Sequence, residues 1–135
     1  MTMMNVRFRS IPDTHAALGW VDGRTVVIDR AEGRAGGMGL GFNGGELLGL
    51  AIGGCFCNDL HYVATEMGIA IASVDVDVEL SLAGEPMLVT HAAMRVHVRA
   101  VDAGANIEEL IRRARADSTV SNSIQTGIAV EVVAN

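Results

Sequence analysis

The run E-L-L-G-L-A-I-G-G-C-F-C, from Glu46 to Cys57, constrains this chain more than any other segment. It is apolar, rich in small residues and free of proline, so it predicts a helix that must be covered by other parts of the fold. Helical character begins near Asn43 or Gly44 and ends before Gly68, a residue suited to the left-handed position that closes a helix. The first half is apolar on every side, whereas Asn58, Asp59, His61, Thr65 and Glu66 add polarity to the second half. The first half is therefore expected to be the enclosed one. Any thiol in it, Cys55 above all, must either pack or react.

The flanking segments supply what could cover such a helix. Residues 5–9, 16–21 and 24–30 read as short strands, with Asp22-Gly23 as a hairpin signal between the last two. Residues 31–45 are glycine-dense and aperiodic, which predicts a loop delivering the chain to the helix. Beyond it, residues 73–81 alternate strictly: Val74, Val76, Val78 and Leu80 form one face, and Asp75, Asp77 and Glu79 the other. Residues 94–99 repeat the pattern with Met94, Val96 and Val98 against Arg95, His97 and Arg99, after a turn at residues 83–86. Acidic positions facing basic ones across an antiparallel pair would set its register.

Asn106 followed by Glu109 has the form of a reciprocal helix cap, and Ile107, Leu110, Ile111 and Ala114 then make one apolar stripe. The polar tract at residues 117–123 predicts the end of that helix, and residues 127–134 read as a closing strand. At 135 residues, with no internal repeat or linker, the chain is expected to form a single domain, residues 1–135. Only 4% of it is aromatic against 50% hydrophobic, so the core must be aliphatic, and two chains sharing a core is the expectation.

A formal net charge of −6 offers no field for a phosphate backbone or an anionic membrane surface, which argues against nucleic acid and membrane as partners. The N-terminus lacks the apolar segment of a signal peptide, and no apolar run reaches spanning length without charge. These features predict a cytoplasmic protein. Two cysteines two positions apart do not make a disulfide framework, and a reducing compartment would leave them as thiols.

Thiolate, not thiol, attacks a peroxide, and burial in an apolar helix disfavours it unless a cation or donor compensates. Cys55 is therefore either an inert packed cysteine or a nucleophile that needs help. Asp59, four residues on, would oppose ionisation if it shared the face. Cys57 points about 200° away from Cys55 around a helix and cannot readily form a disulfide with it. Cys57 and His61 have the i, i+4 spacing of two metal ligands, but no further Cys or His cluster exists to complete a site, and no metal is expected. No phosphate-binding glycine motif occurs, so no cofactor is expected. Glu46 at the helix start reads either as a group favoured by the free N–H groups there or as one that orients an arginine. Met38, Leu40 and Phe42 in the glycine-dense loop are expected to pack over a pocket.

Strands, an E-L-L-x-x-A-x-G-G-C helix, a charged hairpin, a second helix and a last strand together resemble the OsmC/Ohr superfamily. Glu46, Leu47, Leu48, Ala51, Gly53, Gly54 and Cys55 carry the resemblance, with Gly68, Ile69 and the strand that follows; Ser118 to Asn122 looks like the family's C-P-V-S-N segment. The resemblance implies an α+β fold in which antiparallel sheet wraps around two central helices of an intertwined homodimer, with sites at the subunit interface. It implies organic hydroperoxide reduction by the helix cysteine, a second cysteine to resolve the sulfenic acid, an arginine and a glutamate to organise the site, and dithiols as reductant. This chain has Ser118 at the resolving position and Gly45 where the family's peroxidases usually carry glutamate. What remains is a one-cysteine cycle at Cys55, with Arg24, Arg30 or Arg34 polarising the peroxide, Glu46 holding the arginine, and Met38, Phe42 and Ser118 meeting the substrate. The alternative is a module of the same fold that has lost redox chemistry and binds a small apolar ligand at the dimer interface.

Overall fold

A computed structural model describes residues 1–134. The elements run β1 (Arg7–Ser10), β2 (Ala17–Val21), β3 (Arg24–Ile28), α1 (Gly44–Met67), β4 (Ile71–Ala83), β5 (Leu88–Ala100), α2 (Ile107–Asp117) and α3 (Thr119–Thr126). The class is α+β. The chain divides into two compact units, residues 1–48 and residues from 49 onward.

In the first unit β1, β2 and β3 form an antiparallel meander. Val21 pairs with Arg24 across a two-residue loop in which Asp22 takes φ 53°, as the hairpin signal requires. The glycine-dense segment leaves β3 and returns to it: Phe42 N–H donates to the Val27 carbonyl at 2.9 Å, and Asp29 N–H to the Phe42 carbonyl at 3.1 Å. Glycine is required at position 41, because a Cβ there would strike the Val27 carbonyl.

In the second unit β4 and β5 pair in the expected register, with Asp77 opposite Arg95, Asp75 opposite His97 and Val76 opposite Val96. The charged faces are exposed and the valine faces turn inward. Against that inner face lies α1, whose buried positions Ile52, Gly53, Phe56, Asp59, Leu60, Val63 and Ala64 recur at helical spacing. Close approach explains Gly53, where a Cβ would lie 2.8 Å from Val78 Cγ2. Leu110 and Ala114 of α2, both fully buried, complete the core with Phe56, Leu60, Val63, Ala64 and Val98. At the end of α1, Gly68 takes φ 68° while Ile69 N–H donates to the Ala64 carbonyl at 2.8 Å and Gly68 N–H to that of Thr65 at 3.3 Å, a Schellman closure.

Three expectations need correction. The buried stretch of α1 lies mainly in its second half, because that half carries most of the face covered by β4, β5 and α2, and Leu50 in the first half is 52% exposed. Residues 117–123 interrupt the helix for one residue only: Ser118 is extended at ψ 107°, and α3 follows at once. The polar residues there return their side chains to helical carbonyls, Ser123 Oγ to Thr119 at 2.7 Å and Thr126 Oγ1 to Asn122 at 2.9 Å, so their hydroxyls are accommodated within the helix. Residues 127–134 form no strand; Ile128, Val130 and Val132 alternate as a strand would, but are 70%, 85% and 94% exposed and pair with no sheet edge among the described residues. By length and composition alone α1 could cross a membrane, although it carries Glu46, Asp59 and Glu66. Its packing on β4 and β5 gives it instead the place of a core helix.

Candidate active site

Cys55 lies on α1 two residues beyond Gly53, one turn before Asp59, and is partly exposed. One helical turn brings Asp59 onto the same face, and the thiol donates to Asp59 Oδ2 at 3.7 Å. Asp59 is buried, only 9% exposed, and among the described residues no cation pairs with it. Opposite, Ser118 Oγ donates to Cys55 Sγ at 3.9 Å from a side chain that is 1% exposed. The single-residue break between α2 and α3 makes this contact: Ser118 occupies the capping position of α3 but its side chain caps nothing there, which leaves the hydroxyl for the sulfur. The sulfur thus has an acceptor on one side and a donor on the other.

Cys57 is a second partly exposed free thiol. No cluster of His, Cys, Asp or Glu able to hold a metal ion occurs among the described residues.

The remaining residues singled out in the sequence belong to the first unit. Glu46 completes a reciprocal cap at the start of α1: its N–H donates to Asn43 Oδ1 at 2.9 Å, and its Oε1 accepts the Asn43 N–H at 3.0 Å. Arg24 is exposed and pairs with Asp22 at 3.4 Å. Arg30 pairs with Asp29 at 3.3 Å and donates to the His15 carbonyl. Arg34 is exposed in the glycine-dense loop, where Met38 and Phe42 leave 52% and 42% of their surface open.

Sequence reasoning missed Asp29, which organises that loop. Its buried carboxylate accepts the N–H groups of Leu40 at 3.0 Å and Met38 at 3.1 Å on one oxygen, and that of Arg30 at 2.8 Å on the other. The Leu40 N–H, aided by those of Met38 and Arg30 and by the Arg30 guanidinium, holds the carboxyl below its ordinary range against the opposing effect of burial. An aspartate just ahead of a glycine-dense segment was the available signal.

A family model for OsmC-like proteins matches residues 36–133, from the loop through α1 to the C-terminal segment. The chain belongs to the OsmC-like family. Solved structures agree in fold. An OsmC-like protein of unknown function from Vibrio cholerae superposes with a TM-score of 0.77 at 12% identity, covering 91% of this chain and 94% of that one. An OsmC-like protein from Mycoplasma pneumoniae gives 0.75 at 16% identity over 92% and 88%. The organic hydroperoxide resistance protein OsmC of Legionella pneumophila gives 0.63 at 20% identity over 93% and 90%. No curated protein sequence matches this one significantly. Within this OsmC-like chain the structure joins Cys55 of α1 to Ser118.

Proposed function

We propose that this protein is a cytoplasmic homodimeric thiol-dependent hydroperoxide reductase of the one-cysteine type, acting in defence against organic hydroperoxides. The observation that carries the reading is the partly exposed Cys55 on the core helix, with a buried hydroxyl donor on its sulfur. The Legionella relative is described as an organic hydroperoxide resistance protein, which supports the substrate class. In the proposed cycle the Cys55 thiolate attacks the distal peroxide oxygen, the O–O bond breaks, and the alkoxide leaves as alcohol after taking up a proton. Cys55 becomes a sulfenic acid. One thiol of an external dithiol displaces water to form a mixed disulfide, and the second thiol releases Cys55 and leaves the dithiol oxidised. A guanidinium, for which Arg24, Arg30 and Arg34 are the candidates, would stabilise the thiolate, and Glu46 would orient it. Met38, Phe42 and Ser118 would meet the substrate.

Asp59 favours a second reading. A carboxylate 3.7 Å from the sulfur, with no cation paired to it among the described residues, suits a thiol that does no redox work, in a module that binds a small apolar ligand at a dimer interface. Turnover of cumene hydroperoxide with a dithiol, compared between wild type and Cys55→Ser, separates the two. Turnover that depends on Cys55 supports the reductase, and equal, negligible turnover in both leaves the binding module.

A further inference from the structure

We propose that Asp59 is a positioning residue that guards Cys55, accepting a hydrogen bond from the thiol and keeping the sulfur unreactive until the carboxylate's charge is countered. The inference deepens the reductase reading and rests on it for its role in the cycle, although the guard itself is a property of the thiol. A thiol that donates to a carboxylate oxygen loses that hydrogen bond when it gives up its proton. The 3.7 Å contact has that sense, the thiol donating to Oδ2. Loss of the proton would set two negative charges side by side in a mostly buried site, which is unfavourable. Burial matters here, because at 9% exposure of Asp59 water screens the carboxylate weakly.

The described surroundings of the sulfur supply no relief. Its other polar neighbour is the Ser118 hydroxyl, which does not titrate in the accessible range. Next to Ser118, Arg115 and Asp117 of α2 are exposed, and the face of β4 turned to α1 at Gly53 presents Val76 and Val78. Asp59 and Ser118 therefore act on the sulfur in opposite senses. The carboxylate opposes negative charge and the hydroxyl supports it. A cation seated on Asp59 would act as activator of the thiol.

The test measures alkylation of Cys55 by iodoacetamide across pH 6 to 9, in a Cys57→Ser background so that one thiol reports. Asp59→Asn is expected to raise the rate at pH 7 by about tenfold or more and to move the rate profile to lower pH. Ser118→Ala is expected to slow alkylation and to move the profile the other way. A packing role alone would give the same sign in both variants, since either would loosen the site. An Asp59→Asn rate equal to or below that of the parent overturns the proposal, as does acceleration in both variants without opposed pH shifts. Alkylation needs no peroxide, so an inactive wild-type enzyme would end the reductase reading and leave this measurement decisive for the guard.

Discussion

Ser118 Oγ lies 3.9 Å from Cys55 Sγ, although 63 positions separate the two residues in the chain. The contact depends on the one-residue break between α2 and α3, which turns the Ser118 side chain away from α3 and toward α1. A thiol placed there would stand where a disulfide could close after modest side-chain adjustment. Ser118→Cys is therefore expected to form a disulfide between Cys55 and the introduced thiol when treated with one equivalent of hydroperoxide. Peptide mapping by mass spectrometry would detect it as a loss of two hydrogens and a cross-linked pair. A sulfenic acid on Cys55 that persists with no cross-link would show that the two positions do not meet.

Two adjacent glycines in α1 make opposite predictions. A Cβ at Gly53 would lie 2.8 Å from Val78 Cγ2, whereas one at Gly54 meets nothing within 4 Å. Gly53→Ala should crowd the packing of α1 on β4 and destabilise the protein by about 1–3 kcal/mol. Gly54→Ala removes a flexible residue from a helix interior and should stabilise by about 0.5–1 kcal/mol. Urea midpoints of the two variants moving in opposite directions would bear this out.

Much of this was legible in the sequence because it depended on local periodicity. Valines alternating with charges in residues 73–81 and 94–99 set the register of β4 on β5, and Gly68 closes α1 because φ 68° suits it. Asp59 could be placed beside Cys55 by helix geometry alone. What failed depended on which of several available partners a group takes. Residues 127–134 have strand alternation but no edge to join among the described residues, and the tract after Asp117 continues as helix with its hydroxyls bonded to carbonyls one turn back. The Glu109 side chain does not return to Asn106 but is taken by arginines further along α2. The clasp at Asp29 required knowing where the glycine-dense loop turns back.

Glu109 leads to a prediction in acid. Arg112 Nη2 and Nε bind its two oxygens at 2.7 and 2.8 Å, and Arg113 Nε adds a third bond at 2.9 Å. The hydrogen bond from Arg112, then that from Arg113, lowers its pKa from 4.5 to about 2. A depressed carboxylate contributes stability that is fully present above its unfolded value and is lost as pH falls through the folded value. The contribution of Glu109 should therefore fade between pH 4.5 and about 2. Glu109→Gln should be less stable than wild type at pH 6, with the gap narrowing across that acid window. Parallel unfolding curves of the two proteins over the whole range would contradict the assignment.

Asp29 is the anchor of the glycine-dense loop, and its two oxygens do different work. Oδ2 holds the Leu40 and Met38 N–H groups, while Oδ1 holds that of Arg30 together with its guanidinium. An asparagine offers only one acceptor oxygen, so its amide would either abandon one side of the clasp or set an NH₂ against N–H donors. Asp29→Asn should therefore speed hydrogen exchange at Met38 and Leu40, with the meander of β1, β2 and β3 less affected. Because the carboxyl is held below its ordinary range, the clasp in the wild type is complete above that range and weakens as pH falls through the lowered folded value. Exchange at these two amides, corrected for intrinsic rates, should rise in the wild type on acidification and vary less with pH in Asp29→Asn. Equal protection in the two proteins at neutral pH would mean that the loop is held by its return along β3 instead.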